Sequence, residues 1–83
     1  MIIVSVLDVK AESFSQPSCS ANKATALRDF ATAVNQPGSL LNSHPDDFVL
    51  YQLGDFDPQM GVISSSARVS LACGRDVFAE VKS

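Results

Sequence analysis

Tryptophan is missing from this chain, histidine occurs once, at His44, and cysteine twice, at Cys19 and Cys73. A zinc site needs Cys and His at close, paired spacing, whereas these three are scattered and no Cys-x-x-Cys pair exists. No metal and no cofactor is therefore expected. Ser-His-Asp catalysis would require His44 as its base, but His44 precedes Pro45 in a loop and no Gly-x-Ser-x-Gly elbow accompanies it. It reads as a loop histidine, and the chain as a protein without catalysis. Two cysteines in a cytosolic chain are expected to stay reduced and half-buried.

Long apolar runs are also missing. The start, MIIVSVLDVK, stays apolar only as far as Leu7, has no basic opening and no small-residue cleavage site, and is too short to span a bilayer. A cytosolic protein with no membrane partner is expected. Basic charge is scarce: nine acids against six bases give a net charge of −3, and no Lys or Arg lies between Arg28 and Arg68. A general electrostatic grip on nucleic acid calls for clustered bases, so any DNA contact must be local.

What is present is globular composition, 46% hydrophobic and 18% charged, in one domain spanning residues 1–83. A chain this short buries only about 60–65% of the surface it exposes when unfolded, so its own core is thin. IIVSVLDV (2–9) is β-branched and aliphatic, with Ile2, Val4 and Val6 on one face and Ile3, Leu7 and Val9 on the other, the pattern of a central strand. SFSQPSCS reads as a loop. Ala24, Leu27, Phe30, Ala31 and Val34 then fall three or four apart, predicting a helix over 21–35 with Ser20 or Asn22 as N-cap and Pro37-Gly38 as its stop.

The stretch NSHPDDFVLYQLGDFDPQMG (42–61) holds four aspartates and no base. Asp55 and Asp57 begin like a calcium loop, but Pro58 follows at once, and neither the loop glycine nor the closing glutamate is in place. Turn chemistry explains the acids better. Pro45-Asp46-Asp47 is a turn, Phe48 to Leu53 a strand, and Asp55 to Gly61 a hairpin loop with Pro58 at the second position of a type I turn. Beyond it, Ile63, Ala67, Val69 and Leu71 alternate with Ser64, Ser66, Arg68 and Ser70, which predicts a half-buried strand with one polar face. The last segment, DVFAEVKS, fits a short strand or a helical turn.

The bases are confined to the two ends of the chain. If the first strand lies beside the strand from Val62 to Ala72, Lys10, Arg68 and Arg75 line one edge, with Phe14 or Phe78 available for base stacking. Scattered, solvated charge is the alternative.

Residues 27–61, LRDFATAVNQPGSLLNSHPDDFVLYQLGDFDPQMG, carry a further signal. Arg28, Phe30, Ala33-Val34-Asn35, Pro37, His44-Pro45-Asp46-Asp47, Leu50-Tyr51, Leu53-Gly54, Phe56-Asp57 and Gly61, together with Leu7-Asp8-Val9-Lys10-Ala11 near the start, resemble the signature of the small nonstructural protein of gokushoviruses, single-stranded DNA phages of the Microviridae. The part after Ala67 carries little of it. The resemblance implies a nonstructural DNA-binding protein of the infected bacterial cytoplasm, likened to the small microvirus protein that shifts replication from duplex copying toward single-strand synthesis and packaging. It supplies no catalytic residue, and the matched positions read as determinants of the fold.

The expected architecture is α+β, a small, mainly antiparallel sheet in the order strand, helix, strand, strand, with the helix on one face. Apolar residues on both sides of the first strand call for a second copy over the uncovered face, hence a homodimer. The expected function is a phage accessory protein acting on single-stranded viral DNA or on the replication complex, through Lys10, Arg68 and Arg75, with viral replication or capsid proteins as further partners. The alternative is a non-catalytic protein-protein interaction module acting on a host or viral protein.

Overall fold

The computed structural model describes residues 1–79. Its elements are β1 (Ile2–Asp8), β2 (Ser13–Phe14), β3 (Ser18–Ser20), α1 (Lys23–Val34), the short α2 (Leu40–Ser43), a 3-10 turn over Pro45–Asp47, β4 (Phe48–Asp57), β5 (Val62–Cys73) and the single turn α3 (Gly74–Val77). The strands form one antiparallel sheet in the order β2-β1-β4-β5, with β3 also on β1. This is the expected α+β architecture, enlarged at both ends of the chain.

The segment read as a loop, SFSQPSCS, contributes two of the five strands. β2 pairs Leu7 with Phe14, and β3 pairs Ile2 to Val4 with Ser20 to Ser18, so both lie along the same free edge of β1. Pro17, which has no N–H to give a ladder, falls in the break between them. Ser15 closes the break: its N–H donates to the Val6 carbonyl, and its Oγ accepts from the Val6 N–H at 3.0 Å. The hydroxyl of Ser5, a buried residue, donates to the Ser15 carbonyl at 2.6 Å. Short polar strands of this kind are the usual form of a sheet edge, and they show no apolar alternation for a sequence reading to catch.

Helix α1 begins where Asn22 accepts the Thr25 N–H on its side-chain oxygen at 2.8 Å. Its buried stripe is Ala26, Phe30 and Val34, one residue every four, with Leu27 beside it; Ala24, placed on that face by spacing, is exposed. The stripe packs on Val4 of β1 and Leu50 of β4, and Ile2, Val6, Leu41, Leu71, Ala72, Val77 and Phe78 close around it.

Burial corrects the reading of β5. From Val62 to Ser70 every residue is exposed, and only Leu71 to Cys73 reach the core. Val69, placed on the buried side of this strand by alternation, is 55% exposed. The strand is the outer edge of the sheet, and among the described residues it pairs only with β4. At about 3.3 Å per residue its twelve residues run for about 40 Å, which accounts for most of the 48 Å long axis of the molecule.

At its far end the hairpin turns over Pro58–Gly61, later than the loop expected from Asp55, because Asp55 to Asp57 continue β4 and pair with Ser64 to Val62. The Asp57 carboxylate accepts from the Gln59 and Met60 N–H groups, the Gly61 N–H donates to the Asp57 carbonyl, and Gly61 takes φ +65°. At the near end, α3 places Asp76 and Val77 of the C-terminal segment in a helical turn, Phe78 and Ala79 follow without helix or strand, and the rest of DVFAEVKS lies outside the described residues. The Asn35 side chain holds α3 against α1, donating to the Val77 carbonyl at 2.9 Å and accepting from the Ala79 N–H at 2.7 Å.

Candidate nucleic-acid interface

The sheet has two unlike faces. One is covered by α1. On the other, strand pairing places Leu7 opposite Phe14 and Val49, Ser5 opposite Tyr51, and Tyr51 opposite Ser70, with Arg68 two residues before Ser70 on the same side. Three of these side chains meet. The Phe14 and Tyr51 rings stand edge to face with centroids 5.6 Å apart and planes at 68°. The Arg68 guanidinium carbon lies 5.4 Å from the Phe14 centroid and 5.6 Å from that of Tyr51. Both distances fall within cation-π range.

Each member comes from a different element. Phe14 reaches the face only because β2 folds back on β1, Tyr51 is fixed by the β1-β4 register, and Arg68 arrives from the edge strand. Phe14 keeps 37% of its surface, and Arg68 is exposed. Part of the cover that the sequence reading assigned to a second copy is thus supplied by the chain itself. The lone tyrosine and the first phenylalanine of the sequence gave no spacing signal for this meeting.

The three bases singled out from sequence come from one turn and two different elements. Lys10 sits in the β1-β2 turn, where the Asp8 carboxylate accepts from the Lys10 and Ala11 N–H groups, beside a shallow groove lined by Leu40, His44, Asp47 and Phe48. Arg75, in α3, forms a two-pronged pair with Asp46 through Nε at 2.5 Å and Nη2 at 2.6 Å. That pairing holds the Asp46 carboxyl below its ordinary value, chiefly through the hydrogen bonds themselves. Arg68 lies over the aromatic rings of this face. Lys82 falls outside the described residues, and Phe78, considered as a stacking residue, packs toward the core.

Two acids of the central stretch have defined roles, one local and one long-range. Asp46 binds Arg75, Asp57 caps the hairpin turn, and His44 is exposed with its Nδ1 2.8 Å from the Ser43 hydroxyl. Among the described residues no three or more His, Cys, Asp or Glu side chains gather as metal ligands, and no helix is long and apolar enough to cross a membrane. Both cysteines are free, Cys19 exposed on β3 rather than half-buried, and Cys73 partly covered at the end of β5.

No curated protein and no solved structure matches the chain. Its sequence does match that of the Phage ORF5 protein family over residues 1–77, nearly the whole of the described fold, and the chain is a phage protein belonging to that family.

Proposed function

We propose that this phage accessory protein binds single-stranded DNA, without catalysis, on the face of the sheet opposite α1. The observation that carries the reading is the Phe14-Tyr51-Arg68 cluster, an arginine laid over two rings on an open sheet face. Unpaired bases stack on aromatic rings and on guanidinium planes, and such contacts tolerate any sequence because every base has a π-face. Arg68 also has N–H groups to give a phosphate. The gokushovirus resemblance adds the setting, viral single-stranded DNA or the replication complex in the bacterial cytoplasm, during the switch to single-strand synthesis and packaging.

The geometry narrows the expected mode. Arg75 is paired with Asp46 and Arg68 is the one of the three bases over the rings, so stacking rather than charge supplies the affinity. Titration of a fluorescent single-stranded oligonucleotide at two salt concentrations tests this. The log-log salt slope is expected near −0.7, that of about one phosphate contact. Phe14→Ala, which removes one stacking surface worth about 1–3 kcal/mol, is expected to weaken binding by about 5- to 150-fold. Arg68→Ala flattens the slope, while Asp55 and Asp57 substitutions leave binding unchanged. Undetectable binding at low salt, or binding indifferent to Phe14 and Arg68, refutes the reading.

One observation favours a second reading. The engagement of Arg75 by Asp46, which leaves Arg68 as the one of the three bases over the rings, suits an interaction module for a host or viral protein. Retention of such a partner by Phe14→Ala and Arg68→Ala, in the absence of DNA binding, selects it.

A further inference from the structure

We propose that the outer half of the hairpin, Gly61–Ser65, pairs edge to edge with the same segment of a second copy, antiparallel, about a two-fold axis at Ile63. The two edges of the sheet differ sharply. One is blunted by strands of two and three residues separated around Pro17. The other is the twelve-residue β5, with no proline and Arg68 as its single charge. An edge left long and uncharged is a template for another strand, and proteins that must remain single protect such edges with lysine, proline or cover. Among the described residues none of these is present from Val62 to Ala67.

The register locates the segment. Val62 to Ser65 pair without interruption against Asp57 to Gly54, whereas Ser66 to Arg68 stand opposite Leu53 alone, and a second break falls at Leu71. Bulges disturb an edge for pairing, so the regular ladder beyond them is the part that presents evenly spaced N–H and C=O groups. Within it Ile63 is 70% exposed, and Met60 and Val62 beside it are 74% and 50% exposed. The molecule is also extended: its radius of gyration is 13.4 Å, against about 12 Å for a compact chain of this length. The arm is not folded onto its own body.

Self-complementarity identifies the occupant. A foreign strand would be selected by charges or pockets along the edge, and this segment has neither. Two-fold pairing at Ile63 sets Ile63 against Ile63 of the second copy and Val62 against Ser64, a β-branched cross-strand pair at the centre with no like charges opposed. The two Arg68 residues, five positions from the axis on either side, stay about 33 Å apart along the strands. An antiparallel edge pair has its two-fold axis perpendicular to the joined sheet. Both α1 helices then lie on one side and both Phe14-Tyr51-Arg68 clusters on the other, so the assembly leaves the open face clear.

Assembly is read without DNA, which separates this proposal from the binding reading. Light scattering across a concentration series is expected to approach twice the 8.8 kDa chain mass. Ile63→Lys and Ile63→Glu are each expected to remain at the chain mass, and an equal mixture of the two to recover the doubled mass through the opposite charges. In a Cys19→Ser, Cys73→Ser background, Ile63→Cys lies on the axis, where facing Cα atoms about 4.5–5.5 Å apart suit a disulfide. Mild oxidation should therefore link Ile63→Cys as a dimer. Ser70→Cys, whose mates lie about 46 Å apart along the strands, should not link. A wild-type chain that stays at 8.8 kDa throughout overturns the proposal; so does a doubled mass that survives Ile63→Lys, or linkage of Ser70→Cys as readily as Ile63→Cys.

Discussion

Adding one methyl group at Gly54 should unfasten the β4-β5 hairpin. Gly54 is buried where β5 crosses closest, and a Cβ built on it would lie 2.2 Å from the Ser64 carbonyl oxygen and 3.1 Å from the Ser65 Cα. Ordinary contact begins near 3.4 Å, so the oxygen must retreat by more than an ångström. Both obstacles are backbone, and no rotamer change relieves them. Overpacking of this kind costs about 1–3 kcal/mol, and loss of a ladder hydrogen bond as the strands part adds about 0.5–1.5 kcal/mol. The sum, about 2–4 kcal/mol, is a large fraction of the 5–15 kcal/mol typical of a small domain. At roughly 4–8 °C per kcal/mol for a chain of this size, Gly54→Ala is expected to lower Tm by about 10–30 °C in a circular-dichroism melt. Gly61→Ala is the control, because its φ of +65° is strained for alanine but its Cβ meets nothing within 4 Å; it should cost about 1–2 kcal/mol. If Gly54→Ala melts within a few degrees of the wild type, or less far below it than Gly61→Ala does, close backbone approach is not why glycine stands there.

Phe30 is 3% exposed at the centre of a small core, and Phe30→Ala should cost about 3–5 kcal/mol, enough to leave much of the chain unfolded at 25 °C by near-ultraviolet dichroism; an unchanged Tm would remove the packing of α1 on the sheet. Asn35→Ala removes the side-chain bonds to the Val77 carbonyl and the Ala79 N–H, so amide exchange should quicken over α3 before it does in β1 or β4. Asp46 has a lowered folded pKa, and the stabilisation from its pair with Arg75 is therefore full above the ordinary carboxylate range and lost as pH falls through the folded value. In Arg75→Ala the Asp46 carboxyl should titrate closer to its ordinary value by NMR, and the difference in stability between the two proteins should shrink with acid below about pH 4.

Local chemistry was enough to determine several parts of this protein. The β-branched run at residues 2–8, the Asn22 cap with apolar residues spaced down the following helix, and the Asp57-Pro58 turn closing at Gly61 each depend on dihedral preference and periodicity within a few residues, and each stands where the sequence placed it. The resemblance to a phage protein family was legible as well, because it is carried by residue identities along the chain. What the chain could not display along its length was which surfaces would find a neighbour. Ala26 rather than Ala24 is buried because the tilt of α1 over Val4 and Leu50 decides the stripe. Ser13-Phe14 and Ser18 to Ser20 became strands only because β1 offered them an unpaired edge, and Val69 stayed exposed because no element among the described residues covers it. Phe14, Tyr51 and Arg68 lie far apart in sequence, and only the register of three strand pairs brings them together, just as the docking of α3 on the Pro45–Asp47 turn gives Arg75 to Asp46. Contacts of that range depend on the whole sheet being assembled, and no local pattern encodes them.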